Sequence, residues 1–316
     1  MSDSVRRLLI GAVALTLLLA IHFVTPQPGG LWLRTFYDSL HVPVFGAIAV
    51  GILFLMPVAW SELNKVMATL AVVTVLAALS EIAQVPTPRD ASLKDFVADL
   101  LGAVGFLCIA IGLSRSFAQP GQRRLLLVLA GLLSIALPLI PLASVSAVYV
   151  ERSQRLPSLI DFGSRSSELL YHLQTAELVK APAPNDRSAV VILGDGQWPG
   201  IAFTDLWPDW GAYDALVIEL ENPASSALPI GVRIHDRSHR ASQEFDDRFN
   251  LHVDLEPGRQ TLSIDFQNVR EAPATRQMNL AEIDGLILFA TREQAGRRFV
   301  IHDIRLAGDA ERDEKY

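Results

Sequence analysis

Cysteine and charged residues are both scarce in this sequence. The single cysteine, Cys108, lies in an apolar stretch, which excludes an intramolecular disulfide and a cysteine-based zinc site and leaves the redox compartment open. Asp, Glu, Lys and Arg make up 19% of the 316 residues, whereas a soluble domain contains about a quarter. With 50% hydrophobic residues and a mean hydropathy of +0.31, the composition argues against a wholly soluble protein.

The sequence also lacks the hallmarks of several function classes. No long basic run occurs, and the net charge of −7 arises in the second half of the chain, so we expect no nucleic-acid partner. A Gly-rich phosphate loop, an HExxH zinc helix and a Gly-x-Ser-x-Gly nucleophile elbow are all missing. A soluble hydrolase is therefore poorly supported, and we expect a binding protein more than an enzyme.

Apolar runs long enough to cross about 30 Å of hydrocarbon dominate the first half. They cover residues 8–24, 42–60, 66–85, 96–113 and 125–145. The sequence thus predicts an all-α transmembrane domain of five helices over residues 1–146.

The first run and the loop charges set the expected topology. Arg6 and Arg7 precede the run as in a signal peptide, but no small-x-small cleavage pattern follows Ala20, so we expect an uncleaved anchor.

The Lys and Arg residues of the loops indicate the orientation, because these residues favour cytoplasmic loops. A cytoplasmic N-terminus places most of them on the cytoplasmic side. These residues are Arg6, Arg7, Lys65, Arg115, Arg123 and Arg124. Five crossings of the inner membrane then put the rest of the chain on the periplasmic, extracytoplasmic side.

The second half has a different periodicity. Short stretches alternate apolar and polar residues between Gly, Pro, Asn and Asp, a pattern typical of half-buried antiparallel strands. Examples are residues 215–221, 229–235, 251–255, 261–266, 285–289 and 298–306. The sequence predicts a linker at 147–157, an all-β, jelly-roll-like sandwich over 158–307 with a helical turn within 166–173, and a charged tail at 308–316.

Ionisable and amide side chains are few in the apolar half, and the expected topology places them at the outer face. They are Asp38, His41, Glu81, Gln84, Arg89, Asp95 and Asp99. Such a cluster could bind a polar headgroup, hold a divalent cation or perform acid–base chemistry. Structural roles are the alternative, because Ser92 with Asp95 fits a helix cap, Asp38 could cap the second helix, and Arg89 could be a counter-charge in an ion-pair network.

Three segments in this half resemble a known family. Residues 38–46 (DSLHVPVFG), 80–84 (SEIAQ) and 89–105 (RDASLKDFVADLLGAVG) look like a VanZ-like membrane domain, over about residues 30–115. The resemblance implies a link to glycopeptide-antibiotic resistance and to cell-envelope or exopolysaccharide loci, without specifying a reaction.

The second half resembles galactose-binding-like domains and carbohydrate-binding modules. This resemblance rests on residues 198–203 (WPGIAF), 210–218 (WGAYDALVI) and 299–306 (FVIHDIRL). It implies a glycan-binding sandwich, for which an aromatic platform and hydrogen-bonding groups are needed. The candidates are Trp198, Trp207, Trp210, His235, Asp236 and His239, although tryptophans in a sandwich also serve as core residues.

The polar loop after the predicted strand 229–235 offers oxygen ligands. Asp246, Asp247 and Asn250 could bind Ca²⁺, the one cofactor expected, or they could belong to a solvated hairpin tip.

These observations predict an integral membrane protein of the cell envelope that binds glycan or a lipid-linked saccharide at the outer face of the inner membrane. We expect roles in exopolysaccharide or envelope biogenesis or antibiotic resistance, with membrane lipids and envelope-complex proteins as further partners. One alternative is a membrane-embedded enzyme acting on a polyprenyl-phosphate or phospholipid-type substrate, with Glu81 or Asp99 as base or metal ligand and His41 as acid. The other is a scaffold in an envelope export complex.

Overall fold

The computed structural model describes residues 30–84, 92–114, 120–180 and 187–308. The chain divides into two compact units, Met1–Ser146 and Ala147–Tyr316. The predicted first helix, Arg89 and residues 309–316 of the predicted tail lie outside the described residues.

The first unit is helical. Its helices are α1 (Leu31–Ser39), α2 (His41–Leu55), α3 (Glu62–Gln84), α4 (Leu93–Leu113) and α5 (Gly121–Gln154), which continues into the second unit. Four segments are long and apolar enough to cross a membrane: Leu31–Leu55, Glu62–Gln84, Leu93–Leu113 and Gly121–Gln154. The described residues therefore hold four candidate spans, whereas the sequence predicts five helices for the whole domain.

The boundaries of the second predicted helix, 42–60, differ from those observed. The helical segment begins at Leu31 and ends at Leu55, where Met56 adopts an extended backbone. Met56 precedes Pro57, and a proline disfavours the helical conformation of the residue before it.

Glycines allow the helices to approach closely. A Cβ on Gly102 of α4 would lie 2.3 Å from the carbonyl oxygen of Val42 in α2, and one on Gly131 of α5 would lie 2.6 Å from the carbonyl oxygen of Gly105 in α4. Only glycine fits at such distances, so these small residues permit the close contact between the helices.

The second unit is a β-sandwich of two antiparallel five-stranded sheets. The front sheet has the order β1-β4-β9-β6-β7 and the back sheet β2-β3-β10-β5-β8. The strands are β1 (Tyr171–Gln174), β2 (Ala176–Lys180), β3 (Ala189–Leu193), β4 (Gly200–Phe203), β5 (Ala215–Asn222), β6 (Leu228–Asp236), β7 (Phe249–Leu255), β8 (Gly258–Asp265), β9 (Ile283–Phe289) and β10 (Arg298–Ala307). Two short helices, α6 (His239–Ser242) and α7 (Phe266–Glu271), follow β6 and β8.

The sandwich core forms from the inward-facing side chains of both sheets. Phe203, Ile218, Val232, Leu288 and Phe299 are fully buried in it. All six strands that alternation predicts are present, because each has one face in this core. The predicted helical turn is only partly present, since a 3₁₀ turn at Arg165–Leu169 is followed by β1, which pairs with β4.

The predicted linker is largely helical. Helix α5 continues to Gln154, past Pro138 and Pro141, so residues 147–154 belong to it. The Tyr149 hydroxyl donates a hydrogen bond to Asp205 Oδ1 at 2.6 Å, and Arg152 Nη1 donates to the carbonyl oxygen of Leu206 at 2.9 Å. These long-range contacts stabilise the last helical turns, and a linker-like composition does not reveal them.

Candidate functional site

The outward face of the front sheet carries a groove of about 350 Å³. Strand pairing places Gln174, Gly200, Phe289, Gly231 and His252 in one row across five strands. The next outward row holds His172, Ala202, Ile287, Arg233 and Asn250. The groove is lined by Gln174, Trp198, Arg233, Phe245, Arg248, Asn250, His252, Ile287 and Phe289.

Three aromatic side chains line this groove. Trp198 is 50% exposed and Phe245 is 58% exposed, although both are large apolar residues. Trp198 meets Phe289 edge to face, with ring centroids 5.7 Å apart. The Phe289 ring lies over Gly231, where a Cβ would be 2.4 Å from the ring, so the glycine provides the space for it.

Two arginines in the groove lack carboxylate partners among the described residues. Arg233 and Arg248 form no ion pair there, and Arg233 Nε is buried without a hydrogen bond. Burial, followed by the charge of Arg248, lowers the pKa of Arg233 to about 10. Arg248 Nε donates to Asn250 Oδ1 at 3.1 Å, and its guanidinium lies 5.2 Å from the centre of the Phe245 ring. The groove is therefore cationic and partly desolvated.

Asp236 and His239, both predicted to contact glycan, are buried in a salt-bridge network next to the groove. Arg276 donates to both carboxylate oxygens of Asp236, at 2.6 and 2.7 Å, and to Asp247 Oδ1 at 2.5 Å. Burial alone would raise the pKa of Asp236, but the hydrogen bonds from Arg276 and from the Asn279 N–H outweigh it and lower that pKa. His239 lies between Arg233, at 2.9 Å, and Asp247, at 3.3 Å. Both residues hold the groove wall in place.

His235, the third polar candidate, is half-buried on β6. A Cβ on Gly285 would lie 2.3 Å from its ring, and the ring centroid of His239 is 5.2 Å away. Its Nδ1 is buried without a hydrogen-bond partner among the described residues. Burial and the charge of Arg233 lower the pKa of His235 to about 4, so the imidazole is neutral at pH 7.

The three candidate tryptophans occupy different environments. Trp198 lines the groove, as described above. Trp210 is fully buried, stacks on Phe266 and donates to the carbonyl oxygen of Trp207 at 2.7 Å. Trp207 is half-buried against the core, with the Arg152 guanidinium 5.8 Å from its ring. Enclosure of Trp210 leaves no ring face for a sugar, so this part of the expectation is corrected: the residue stabilises the core.

The residues expected to bind Ca²⁺ use their oxygens elsewhere. Asp247 accepts from Arg276 and from the Ser242 hydroxyl, and its pKa is lowered to about 2, chiefly by the hydrogen bond from Arg276. Asn250 Oδ1 accepts from Arg248, and Asp246 is exposed. Cationic partners on two of the three groups do not fit a calcium site.

The helical unit brings three of its predicted polar residues together. His41 begins α2, Glu81 lies in the last turn of α3 and Asp99 lies in the second turn of α4. All three are buried, and their potential ligand atoms lie within 4.8 Å of one another. His41 Nδ1 is 2.8 Å from Asp99 Oδ1.

The other predicted polar residues surround this cluster. Gln84 Nε2 donates to Glu81 Oε1 at 3.5 Å. Asp38 and Asp95 line a cavity of about 530 Å³ between helices of the same unit. Ser92 caps α4 through the Asp95 N–H, as predicted, but its own N–H donates to Glu81 Oε2 at 2.7 Å. Glu81 thus takes the place that Asp95 would have in a capping box.

Sequence reasoning named Trp198 but not most of the other groove residues, and it assigned Asn250 to a calcium site. Arg233, Asn250, His252, Ile287 and Phe289 occupy alternate positions on β6, β7 and β9. The same alternation that predicts the strands identifies these residues as outward-facing. Strand order, which brings β9 beside β6, is needed to place them in one groove.

No family model matches the sequence, and no curated protein matches it, so the VanZ-like resemblance stays a prediction. Solved structures to which the chain is similar include three sugar-related proteins. An exo-beta-agarase shows 14% identity and a TM-score of 0.37, covering 48% of this chain and 25% of that chain. The Family 11 Carbohydrate-Binding Module from Clostridium thermocellum, in complex with a mixed-linked tetrasaccharide, shows 15% identity and a TM-score of 0.32, covering 44% and 84%. A non-crystalline cellulose specific carbohydrate-binding module, CBM28, shows 13% identity and a TM-score of 0.33, covering 48% of this chain and 93% of that chain.

The chain thus spans about a quarter of the agarase. Identities and TM-scores this low indicate nothing about what this chain binds.

Proposed function

We propose that the front-sheet groove binds an acidic saccharide. The observation that carries this proposal is the combination, in one groove, of exposed aromatic rings with two arginines that have no carboxylate partner among the described residues. Sugar rings present apolar C–H faces to aromatic side chains, while their hydroxyl groups bond to polar side chains. Trp198 and Phe245 offer such faces, and Asn250, His252 and Gln174 offer hydrogen-bonding groups.

The arginine pair selects for negative charge. Two guanidinium groups near each other repel, and partial burial removes water that would screen them. A carboxylate on a uronic acid, or a phosphate or sulfate ester, would neutralise this charge and accept charge-assisted hydrogen bonds. Each such bond contributes about 1.5–3 kcal/mol. An uncharged sugar leaves both arginines unpaired.

The helical unit supplies the proposed cellular context. We infer from the four candidate spans, together with the first predicted helix over residues 8–24, that the chain crosses the inner membrane five times and is an integral, VanZ-like protein. An odd number of crossings from a cytoplasmic N-terminus leaves the sandwich outside the cytoplasm. The saccharide would then belong to an envelope polysaccharide or a lipid-linked precursor at the outer face. Exopolysaccharide or envelope biogenesis is the process that fits such a ligand.

The test compares acidic with neutral glycans on the detergent-solubilised full-length protein. Polygalacturonate and alginate oligosaccharides are the acidic probes, and mixed-linkage glucan and dextran oligosaccharides are the neutral ones. We expect calorimetric binding of an acidic probe that weakens as salt rises. The variants Trp198→Ala and Arg233→Gln should each weaken it at least about tenfold, since 1.4 kcal/mol is a factor of ten.

The control is Arg259→Gln. Arg259 is an exposed arginine of β8 in the back sheet that pairs with Glu219 at 2.6 Å, so the variant removes the same charge outside the groove. Equal affinity for neutral and acidic probes would contradict the role of the arginines. A protein that binds none of these saccharides but retains a protein partner would support the scaffold alternative.

A further inference from the structure

The three-residue cluster of the helical unit has the composition of a metal centre. His41, Glu81 and Asp99 come from three different helices, α2, α3 and α4. Each is at least nine-tenths buried, with Asp99 fully so. We propose that these side chains bind one divalent transition-metal ion of the Zn²⁺ type, a site independent of the saccharide groove.

The charge balance of the cluster favours a cation. Two carboxylates and one imidazole lie together, and burying charge is costly unless it is paired. Among the described residues, the two carboxylates form one ion pair with a basic side chain. That pair joins Asp99 to His41, which is itself a member of the cluster. A divalent cation would offset both carboxylates while leaving the imidazole neutral.

An unused acceptor points to the same conclusion. Asp99 Oδ2 is buried without a hydrogen-bond partner among the described residues. Buried carboxylate oxygens almost always accept a hydrogen bond or bind a metal. Asp99 uses its other oxygen toward His41, so Oδ2 has a lone pair available for coordination.

The spacing suits first-row metals. Zn²⁺ binds His nitrogen and carboxylate oxygen at about 2.0–2.2 Å, so the ligand atoms of a tetrahedral site lie about 3.4 Å apart. The three ligand atoms lie within 4.8 Å of one another, and small side-chain rotations therefore suffice. An imidazole with two carboxylates fits Zn²⁺ better than Mg²⁺ or Ca²⁺, which prefer all-oxygen sites.

The site would have room for a further ligand. Three protein ligands leave a tetrahedral metal one position short, as in catalytic rather than structural zinc sites. The cavity of about 530 Å³ is not lined by the three ligands themselves but by Ser39 and Ala98, which lie two positions before His41 and one before Asp99. Water or a polar group that passes these two residues would complete the coordination.

The experiment measures Zn²⁺ binding to the full-length protein in detergent. The protein is stripped with EDTA, desalted and titrated against a chromophoric Zn²⁺ chelator, with elemental analysis after a second desalting. We expect one tightly bound Zn²⁺ per chain. Glu81→Gln and Asp99→Asn keep the side-chain shape but remove a carboxylate ligand. Loss of a residue that only supports a ligand weakens metal binding by up to about 100-fold, so we expect each variant to weaken Zn²⁺ binding by about 100-fold.

Asp38→Asn is the matched control. Asp38 lines the cavity of the same unit but lies outside the three-residue cluster, so its variant should bind Zn²⁺ as the wild type does. Wild-type protein that retains no Zn²⁺ overturns the proposal even if the variants fail to fold. Binding that is unchanged in both cluster variants also overturns it. Either failure leaves the saccharide proposal standing, because glycan binding by the groove is measured separately.

Discussion

The neutral state of His235 predicts a specific loss of stability in mild acid. In the folded sandwich, burial and the nearby Arg233 lower the pKa of His235 from 6.5 to about 4. Between those values the unfolded chain takes up a proton that the folded chain does not. The free energy of unfolding should therefore fall as pH drops from about 6.5 to about 4 and then stop falling on this account. Since one pKa unit corresponds to about 1.4 kcal/mol, the loss amounts to about 3 kcal/mol.

Urea unfolding of the detergent-solubilised protein at a series of pH values tests this expectation. Tryptophan fluorescence reports on the sandwich because Trp210 lies in its core. In His235→Phe the imidazole is gone, so the loss of stability between pH 6.5 and 4 should be smaller than in the wild type by about 3 kcal/mol. The slope that remains comes from groups such as His239, whose pKa is also lowered by burial. His172→Phe, at an exposed position of the same sheet face, should keep the wild-type slope. A wild-type protein with constant stability over this interval would refute the reasoning, as would a slope that is the same in His235→Phe as in the wild type.

Two further variants test the core and the salt-bridge network of the sandwich by the same unfolding assay. Trp210→Ala should lower the free energy of unfolding by about 3–5 kcal/mol, because it empties a fully buried site. Trp198→Ala should lower it by less than about 1 kcal/mol and should weaken saccharide binding instead. Asp236→Asn should lower the free energy of unfolding by about 3–5 kcal/mol, because it leaves the Arg276 guanidinium without its buried carboxylate. An unchanged free energy of unfolding would show that the network does not stabilise the sandwich.

Much of the fold follows from periodicity. Alternation predicts six of the ten strands, and each of these presents one face to the core, although β5 is buried on both faces over residues 215–218. The short strand β1 has weaker alternation, and its pairing with β4 is a long-range event that local sequence does not encode. The same holds for residues 147–154, whose helix depends on contacts with Asp205 and Leu206.

The sites were predictable to different degrees. In the helical unit, ionisable side chains are so few that each one is a candidate for a site. Three of them, His41, Glu81 and Asp99, lie together in the structure. In the sandwich, residue type is a poor guide. Trp198 and Trp210 are equally conspicuous in the sequence, yet one lines the groove and the other lies in the core.

Arginines are harder still to sort. Arg276 is fully engaged by two aspartates, while Arg233 forms no ion pair among the described residues. That difference arises from strand order and loop packing, which no count of residues reveals.

The carboxylate of Glu81 connects the last turn of α3 with the start of α4. One of its oxygens accepts the Ser92 N–H at the start of α4, and the other faces Gln84. A ligand that rotates this side chain would release an N–H at the beginning of α4, and an unsatisfied N–H there weakens the first helical turn. The occupancy of the proposed metal site would therefore be coupled to the length of α4 through a single side chain. Such coupling would allow a binding event inside the bundle to be sensed at its surface.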